Sequence, residues 1–322
     1  MTRKDFEIMA PVGSRESLAA AIKAGADSIY FGIENLNMRA HSASTFTIDD
    51  LKEMAQTCAV HGIKSYLTVN TIIYGEDLPL MRTIIDAAKE ADISAVIASD
   101  VAVMMYCRQI GQEVHLSTQL NISNIEALKF YAQFADVVVL ARELNMTQVA
   151  DIHRQIEEQR ICGPGGELIR IEMFCHGALC MAVSGKCYLS LDNTGRSANR
   201  GACMQICRRG YIVKDRETGM ELEIDNGSAA TEKKVYVGKA IKYFSKLGVG
   251  EFQIEAADMS VGDRLLVTGP TTGALFMDLE EVRYDLKPVE TVGKGMRVSF
   301  KVPEKIRPND KLYKLVKSAK EA

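Results

Sequence analysis

The strongest constraint on how this chain can fold is an alternation along its first half. Short β-rich runs, FEIMAP, SIYFG, KSYLTV, AVIAS, EVHLS, VVVLA and LIRIEMF, are separated by longer stretches with helical spacing, such as TIDDLKEMAQTCAVHG, DLPLMRTIIDAAKEA and TQVADIHRQIEEQ. A run that is apolar at consecutive positions is buried on both faces, and amphipathic helices between such runs can cover those faces. That is the pattern of βα units in a parallel sheet. Seven repeats by residue 174 point to an α/β fold with a TIM-like (β/α) barrel rather than an open sheet. No eighth strand is found where the pattern requires one, so the barrel reads as incomplete, with seven recognisable strands.

Beyond this region the rhythm changes. YIVKDRETGMELEID reads as a hairpin with Thr218-Gly219 at its turn, and NGSAAT, small and polar, reads as a linker. Short strands with Gly/Pro turns follow, from KKVYVGKAIKYF to DKLYKLV, as in a small all-β barrel. The expected division is a (β/α) barrel over residues 1–174, a cysteine-rich motif and hairpin over 175–226, a linker or deletion junction over 227–231, and a C-terminal β-barrel over 232–322.

In a (β/α) barrel the functional end is where each strand's C-terminus meets the next loop. The residues at those points are Pro11, Gly13, Gly32, Asn70, Ser99, Asp100, Gln119, Asn121, Arg142, Glu143 and His176. Ser, Asp and Asn in such places also serve as helix caps. Arg142 and Glu143, directly after VVVLA, are harder to explain as caps and are better substrate contacts.

The chain's eight cysteines need a compartment before they can be interpreted. The N-terminal MTRKDFEIMAPVG puts charges where a secretory signal needs an apolar run, and nowhere do about 18 consecutive apolar residues occur. The expectation is a cytoplasmic protein with no membrane partner, in which crowded cysteines bind metal or carry chemistry rather than pair as disulfides. The net charge of −3 gives no global case for a nucleic-acid partner and leaves local basic patches open. Cys58 and Cys107 sit in helical patterns and read as core, while Cys162 lies in a Gly/Pro loop.

The other five, Cys175, Cys180, Cys187, Cys203 and Cys207, fall within EMFCHGALCMAVSGKCYLSLDNTGRSANRGACMQICRRG. Thiolates are the usual ligands of zinc and of iron–sulfur clusters. With no C-x2-C pair, the irregular spacing fits a cluster held by a folded loop better than a zinc knuckle. Cys180, Cys187, Cys203 and Cys207 form the best ligand set, enough for a four-iron cluster, with zinc as the alternative. Cys175, next to an apolar strand, reads as packing. A Cys175–His176 nucleophile is disfavoured, because adjacent side chains on a strand point to opposite faces. Arg196, Arg200, Arg208 and Arg209 add positive charge that favours thiolates and suits phosphate or carboxylate.

At these residues the sequence resembles the collagenase-like peptidases, family thirty-two of the peptidases of unknown catalytic type. Glu172, Phe174, the run His176-Gly177-Ala178-Leu179-Cys180, Ser184-Gly185, Cys187 and Leu189-Ser190 match its signature E-x-F-x-H-G-A-L-C-x-x-x-S-G-x-C-x-L-S. APVGSRESLAAAIKAGADSIYFG is similar to the family's first βα unit, and VGKAIKYFSKLGVGEFQIEA with VGDRLLVTGPTTG to its C-terminal elongation-factor-type β-barrel. The resemblance also implies a further segment after the hairpin, carrying the barrel's last strand, where this chain has NGSAAT.

Two functions follow from the resemblance. The family name implies peptidase activity, a hydrolysis of collagen-like peptides. Better-understood relatives imply iron–sulfur proteins that support hydroxylation of tRNA at the wobble uridine, or of rRNA. The residues favour the second, since no H-E-x-x-H, G-x-S-x-G or oriented Cys/His arrangement is present. On that expectation His176 and Glu172 lie beside the cluster in a catalytic role. Asn70, Gln119, Asn121 and Arg142 line a pocket for a small organic acid or an extruded base, and tRNA or rRNA is the partner. A non-catalytic scaffold with a structural metal is the third reading.

Overall fold

The computed structural model describes residues 2–38, 40, 46–177, 180–208, 211–224 and 232–317. The junction expected at residues 227–231 and the side chain of Arg209 lie outside them. The chain divides into two compact units, one of Met1–Ala26 with Ala230–Ala322 and one of Asp27–Ala229.

Seven strands form one sheet in chain order: β1 (Met9–Pro11), β2 (Ser28–Gly32), β3 (Lys64–Val69), β4 (Ala95–Ala98), β5 (Val114–Leu116), β6 (Val137–Val139) and β7 (Arg170–Glu172). From β2 to β7 every pairing is parallel. Six helices connect them: α1 (Arg15–Lys23), α2 (Leu51–Val60), α3 (Leu78–Glu90), α4 (Val101–Ile110), α5 (Ile125–Ala132) and α6 (Met146–Gln159). The fold is therefore α/β, a half-barrel in which β1 and β7 are not neighbours and no eighth parallel strand is present among the described residues.

Local sequence explains the elements. β4, β5 and β6 are buried at every position, as expected for strands covered on both faces. In α3, Met81, Ile84, Ile85 and Ala88 recur at helical spacing and are all fully buried. Helix α6 starts on a capping box: the Asn145 side chain accepts from the Gln148 backbone at 3.0 Å, and Gln148 returns the bond at 2.9 Å. Gly111, left-handed at φ 69°, ends α4.

The two cysteines read as core are core. Burial pushes the Cys58 thiol up to about 11 and the Cys107 thiol up to about 12. Since the thiolate is the nucleophile, both are expected to resist alkylation by iodoacetamide at neutral pH in the folded protein and to react on unfolding. Mass spectrometry of the alkylated peptides checks this, and labelling of Cys107 in the native state would contradict it.

After β7 the chain leaves the parallel sheet. A short helix α7 (Leu189–Thr194) lies within the cysteine-rich segment, and β8 (Tyr211–Lys214) pairs antiparallel with β9 (Glu221–Ile224) as the expected hairpin. Its turn is closed by Asp215, whose side chain accepts from the backbones of Glu217 and Thr218, with Gly219 at φ 72°.

The C-terminal region is antiparallel. Its strands are β10 (Glu232–Phe244), β11 (Val249–Ile254), β12 (Met259–Ser260), β13 (Arg264–Gly269), β14 (Gly273–Asp278), β15 (Val282–Tyr284), β16 (Lys287–Val289), β17 (Thr291–Val292), β18 (Arg297–Lys301) and β19 (Lys311–Lys317). Eight of them form a sheet in the order β14-β13-β19-β10-β11-β18-β15-β16, and β12 pairs with β17. Alternate residues point into one core that includes Val237, Phe252, Leu265, Val267, Val298 and Phe300, with the Phe252 and Phe300 rings stacked at 4.4 Å. Gly238 sits beside a bulge in β10, where a Cβ would lie 1.9 Å from the Gln253 carbonyl. Helix α1 belongs to this unit. The backbone of Ala19 and Ala20 lies against Gly273, and Lys23 pairs with Glu304 at 2.6 Å.

Candidate functional site at the strand ends

The loops after β3, β5 and β6 bring four expected rim residues into one hydrogen-bonded network. Asn70, buried after β3, donates to Ser117 Oγ at 3.2 Å and to Gln119 Oε1 at 3.4 Å, and its Oδ1 accepts from the Met38 backbone at 3.1 Å. Ser117 donates to Gln119. Asn121, left-handed at φ 53°, donates to the Gln119 carbonyl at 2.8 Å and to the Ser184 carbonyl at 2.9 Å. Arg142 reaches the Ser184 hydroxyl at 2.7 Å, and its guanidinium lies 5.9 Å from the Phe174 ring centre.

Ser184 and Gly185 thus seat the cysteine-rich segment on this rim. At Gly185 the backbone is left-handed at φ 69°, and a Cβ would lie 2.9 Å from the Gln119 side chain. Any other residue there would be both strained and in collision.

Helix capping accounts for a different part of the rim. Asp100 caps α4, accepting from the Ala102 backbone at 2.9 Å, and also accepts from the Ile73 backbone at 3.0 Å. Ser99 donates to the Asn70 carbonyl at 2.8 Å. Asn70 and Arg142 cap no helix, whereas Gln119 and Asn121 belong to a single 3-10 turn, Thr118–Leu120, that Asn121 ends. Four buried polar atoms at these strand ends, Thr71 Oγ1, Thr118 Oγ1, Asn121 Oδ1 and Arg142 Nε, have no protein hydrogen-bond partner among the described residues.

A second anchor holds the other end of the segment. Buried Asn199 accepts from the Cys187 backbone at 3.0 Å through its side chain and from the Ile72 backbone at 3.2 Å through its carbonyl. Next to it, Arg200 forms a two-pronged pair with Asp77, donates to the Ile72 carbonyl at 3.1 Å and stacks 3.9 Å over the Tyr74 ring. The Arg200 hydrogen bond holds the Asp77 carboxyl below its usual value. Of the partners expected for Arg200, phosphate or carboxylate, the one it meets is the Asp77 carboxylate, so it is not a spare cation for thiolates.

The cysteines separate into two groups. Cys180, Cys187, Cys203 and Cys207 are half-buried. Burial raises the Cys207 thiol above its usual value, the charges of Cys180, Cys203 and Cys187 raise it further, and Arg208 lowers it. Cys180, Cys187 and Cys203 are therefore each within electrostatic reach of Cys207. Among the described residues no three His, Cys, Asp or Glu side chains close around a single ion-sized point. Cys175, expected to pack, is exposed, because β7 ends at Glu172 and Cys175 lies on the loop beyond it. His176 is exposed on the same loop, outside the rim network. Glu172 is half-buried at the end of β7, and its carbonyl accepts from the Leu140 backbone at 3.2 Å.

Sequence reasoning missed Asn199, Asp77 and Ser117, and named Ser184 only as part of the signature and not as an anchor. Only Ser184 carried a signal, its Ser-Gly pair marking a tight turn. No helix among the described residues is long and apolar enough to cross a membrane.

Comparison with known proteins assigns the family. The chain is 51% identical to a collagenase of Porphyromonas gingivalis, over 98% of this chain and 99% of that protein. It is 31% identical to tRNA hydroxylation protein P1 of Bacillus subtilis, over 80% of this chain and 60% of that protein. It is 36% identical to a 23S rRNA 5-hydroxycytidine synthase of Escherichia coli, over 65% of this chain and 30% of that protein. The profile of Peptidase family U32 matches residues 13–268, and the chain belongs to that family.

Proposed function

We propose that this chain is an iron–sulfur protein that supports hydroxylation of an RNA base, in tRNA at the wobble uridine or in rRNA, with Cys180, Cys187, Cys203 and Cys207 as cluster ligands. The observation that carries the reading is that all four thiols are half-buried on one segment, with Cys180, Cys187 and Cys203 within electrostatic reach of Cys207. Four half-buried thiols on a loop anchored at Ser184 and Asn199 fit a thiolate-bound cluster. When bound, such a cluster supplies one-electron chemistry that no side chain here can supply.

The chain's own residues would bind and orient the reactants. Arg142 Nε offers a charged donor, Asn121 Oδ1 an acceptor, and Thr71 and Thr118 offer hydroxyls. All four atoms are buried, and a buried polar atom left without a partner costs about 1–3 kcal/mol. A small organic acid or the edge of an extruded base would satisfy this set of donors and acceptors. Glu172 and His176, at the end of β7 and on the loop beyond it, would handle protons nearby. The reading is favoured further by relatives that act on tRNA and rRNA, and it places this protein in the cytoplasm.

A second reading rests on the 51% identity to a collagenase: a peptidase acting on collagen-like peptides. Purification without oxygen, followed by an absorption spectrum and iron, sulfide and zinc analysis, separates the readings. A brown protein with about four irons per chain is expected. Zinc alone favours a structural metal in a scaffold, and peptide cleavage by metal-free protein favours the peptidase. Either of those results would sink the proposal.

A further inference from the structure

The antiparallel sheet carries a surface that the hydroxylation site does not use. In the strand registers, Leu266 of β13 faces Phe276 of β14 on one side and Tyr313 of β19 on the other, and Tyr313 faces Tyr236 of β10. Cross-strand partners share a face, so Phe276, Leu266, Tyr313 and Tyr236 form one row across four adjacent strands. It is the face opposite the core, since Leu265, Val267, Leu275, Leu312 and Val237 point the other way into the buried cluster. Phe276 is 54% exposed, Tyr236 and Tyr313 are half-buried, and Leu266 between Phe276 and Tyr313 is buried, so the accessible part of the row is its rings. Those of Tyr236 and Tyr313 meet edge to face at 5.6 Å.

Cations flank the row. Arg264 lies 5.8 Å from the Phe276 ring centre, and Lys234 Nζ lies 4.9 Å from that of Tyr313. Lys311 and Lys239 face each other in the next row, and Lys317 lies opposite Glu232. The acids on this face are Glu232, paired with Arg264, Glu255, paired with Lys239 and bonded by the Tyr236 hydroxyl, and Asp278 opposite Arg264. Five cations against three acids make the face locally positive on a chain whose net charge is −3.

From this juxtaposition we infer that the β14-β13-β19-β10 face binds single-stranded RNA, with bases stacked on the aromatic row and phosphates on Lys234, Lys311 and their neighbours. The inference rests on the RNA reading above and assigns the partner's seat. Aromatic side chains on an open sheet take any base by its π-face, and clustered cations follow the backbone. A duplex keeps its bases stacked and offers them no access. An aromatic strip alone would also suit a proline-rich peptide. The surplus of cations decides for the polyanion.

The test is fluorescence anisotropy with the full chain, a labelled oligouridine, and an RNA duplex of equal length. The single strand is expected to bind more tightly than the duplex. Phe276→Ala and Phe276→Leu are each expected to weaken it about tenfold, because one stacked base is lost. Lys234→Ala with Lys311→Ala is expected to flatten the salt dependence. Phe276 is exposed, so its variants should fold, and circular dichroism would verify that. RNA binding that ignores all of these changes overturns the assignment of the face and leaves the hydroxylation reading standing. Failure of the wild type to bind any RNA also overturns it, and iron analysis then decides the hydroxylation reading independently. A collagen-like peptide that binds in place of RNA, and is lost with Phe276→Ala, overturns both.

Discussion

Cys187→Ser protein purified without oxygen is expected to be colourless, with iron near background and no support of base hydroxylation. Serine keeps the shape of the side chain but is a poor substitute for the thiolate that holds iron. The fold should survive, because the Cys187 backbone is held by the Asn199 side chain rather than by its own sulfur. Cys175→Ser is the matched control, since Cys175 is exposed and outside the coupled set. Its iron content should equal that of the wild type. Full iron in Cys187→Ser together with loss in Cys175→Ser would reassign the ligand and refute the proposed set.

Arg200→Ala should have the second-largest effect, although Arg200 is not among the proposed ligands. Its guanidinium joins the cysteine-rich segment to the loop after β3 through Asp77, the Ile72 carbonyl and the Tyr74 ring. Removing a group that orients metal ligands typically costs about 10–100-fold in metal affinity, and that is the expected loss of iron affinity here, measured by competition with a chelator. The same link carries a pH signature. Asp77 is held below its usual value, near 3.8, mainly by the Arg200 hydrogen bond. Its contribution is therefore complete above the usual carboxylate range and is lost as the pH falls through the lowered value in the folded protein. In Asp77→Asn that acid-side loss should disappear from the stability profile. An unchanged profile would show that the link does not steady the segment.

Much of the fold was legible because periodicity is written residue by residue. Consecutive apolar runs such as AVIA and VVV became fully buried strands, and the 3.6-residue spacing of Met81, Ile84, Ile85 and Ala88 became a buried helix face. The rim residues were legible because topology fixes which end of a parallel strand meets the next loop. Asn70, Gln119, Asn121 and Arg142 do share one network. What escaped depends on how loops fold back. The Arg200–Asp77 pair joins residues 123 apart, and Ser184 meets Arg142 across 42, distances at which no local pattern survives. Cys175 was misplaced for a related reason: an apolar run continued past Glu172, but the strand did not.

The position of helix α1 also determines the order in which this protein can be completed. It packs on strand β14, and Lys23 waits for Glu304, 281 residues later in the chain. On the ribosome the first helix emerges long before the sheet that covers it exists, while the helices and strands between Asp27 and Ala229 can already find their neighbours. Closing so long a loop is entropically slow, so the docking of α1 on the antiparallel sheet comes late. Until then α1 is an amphipathic helix without its sheet, and a ribosome stalled before residue 304 would hold a protein in which Lys23 has no Glu304 to meet.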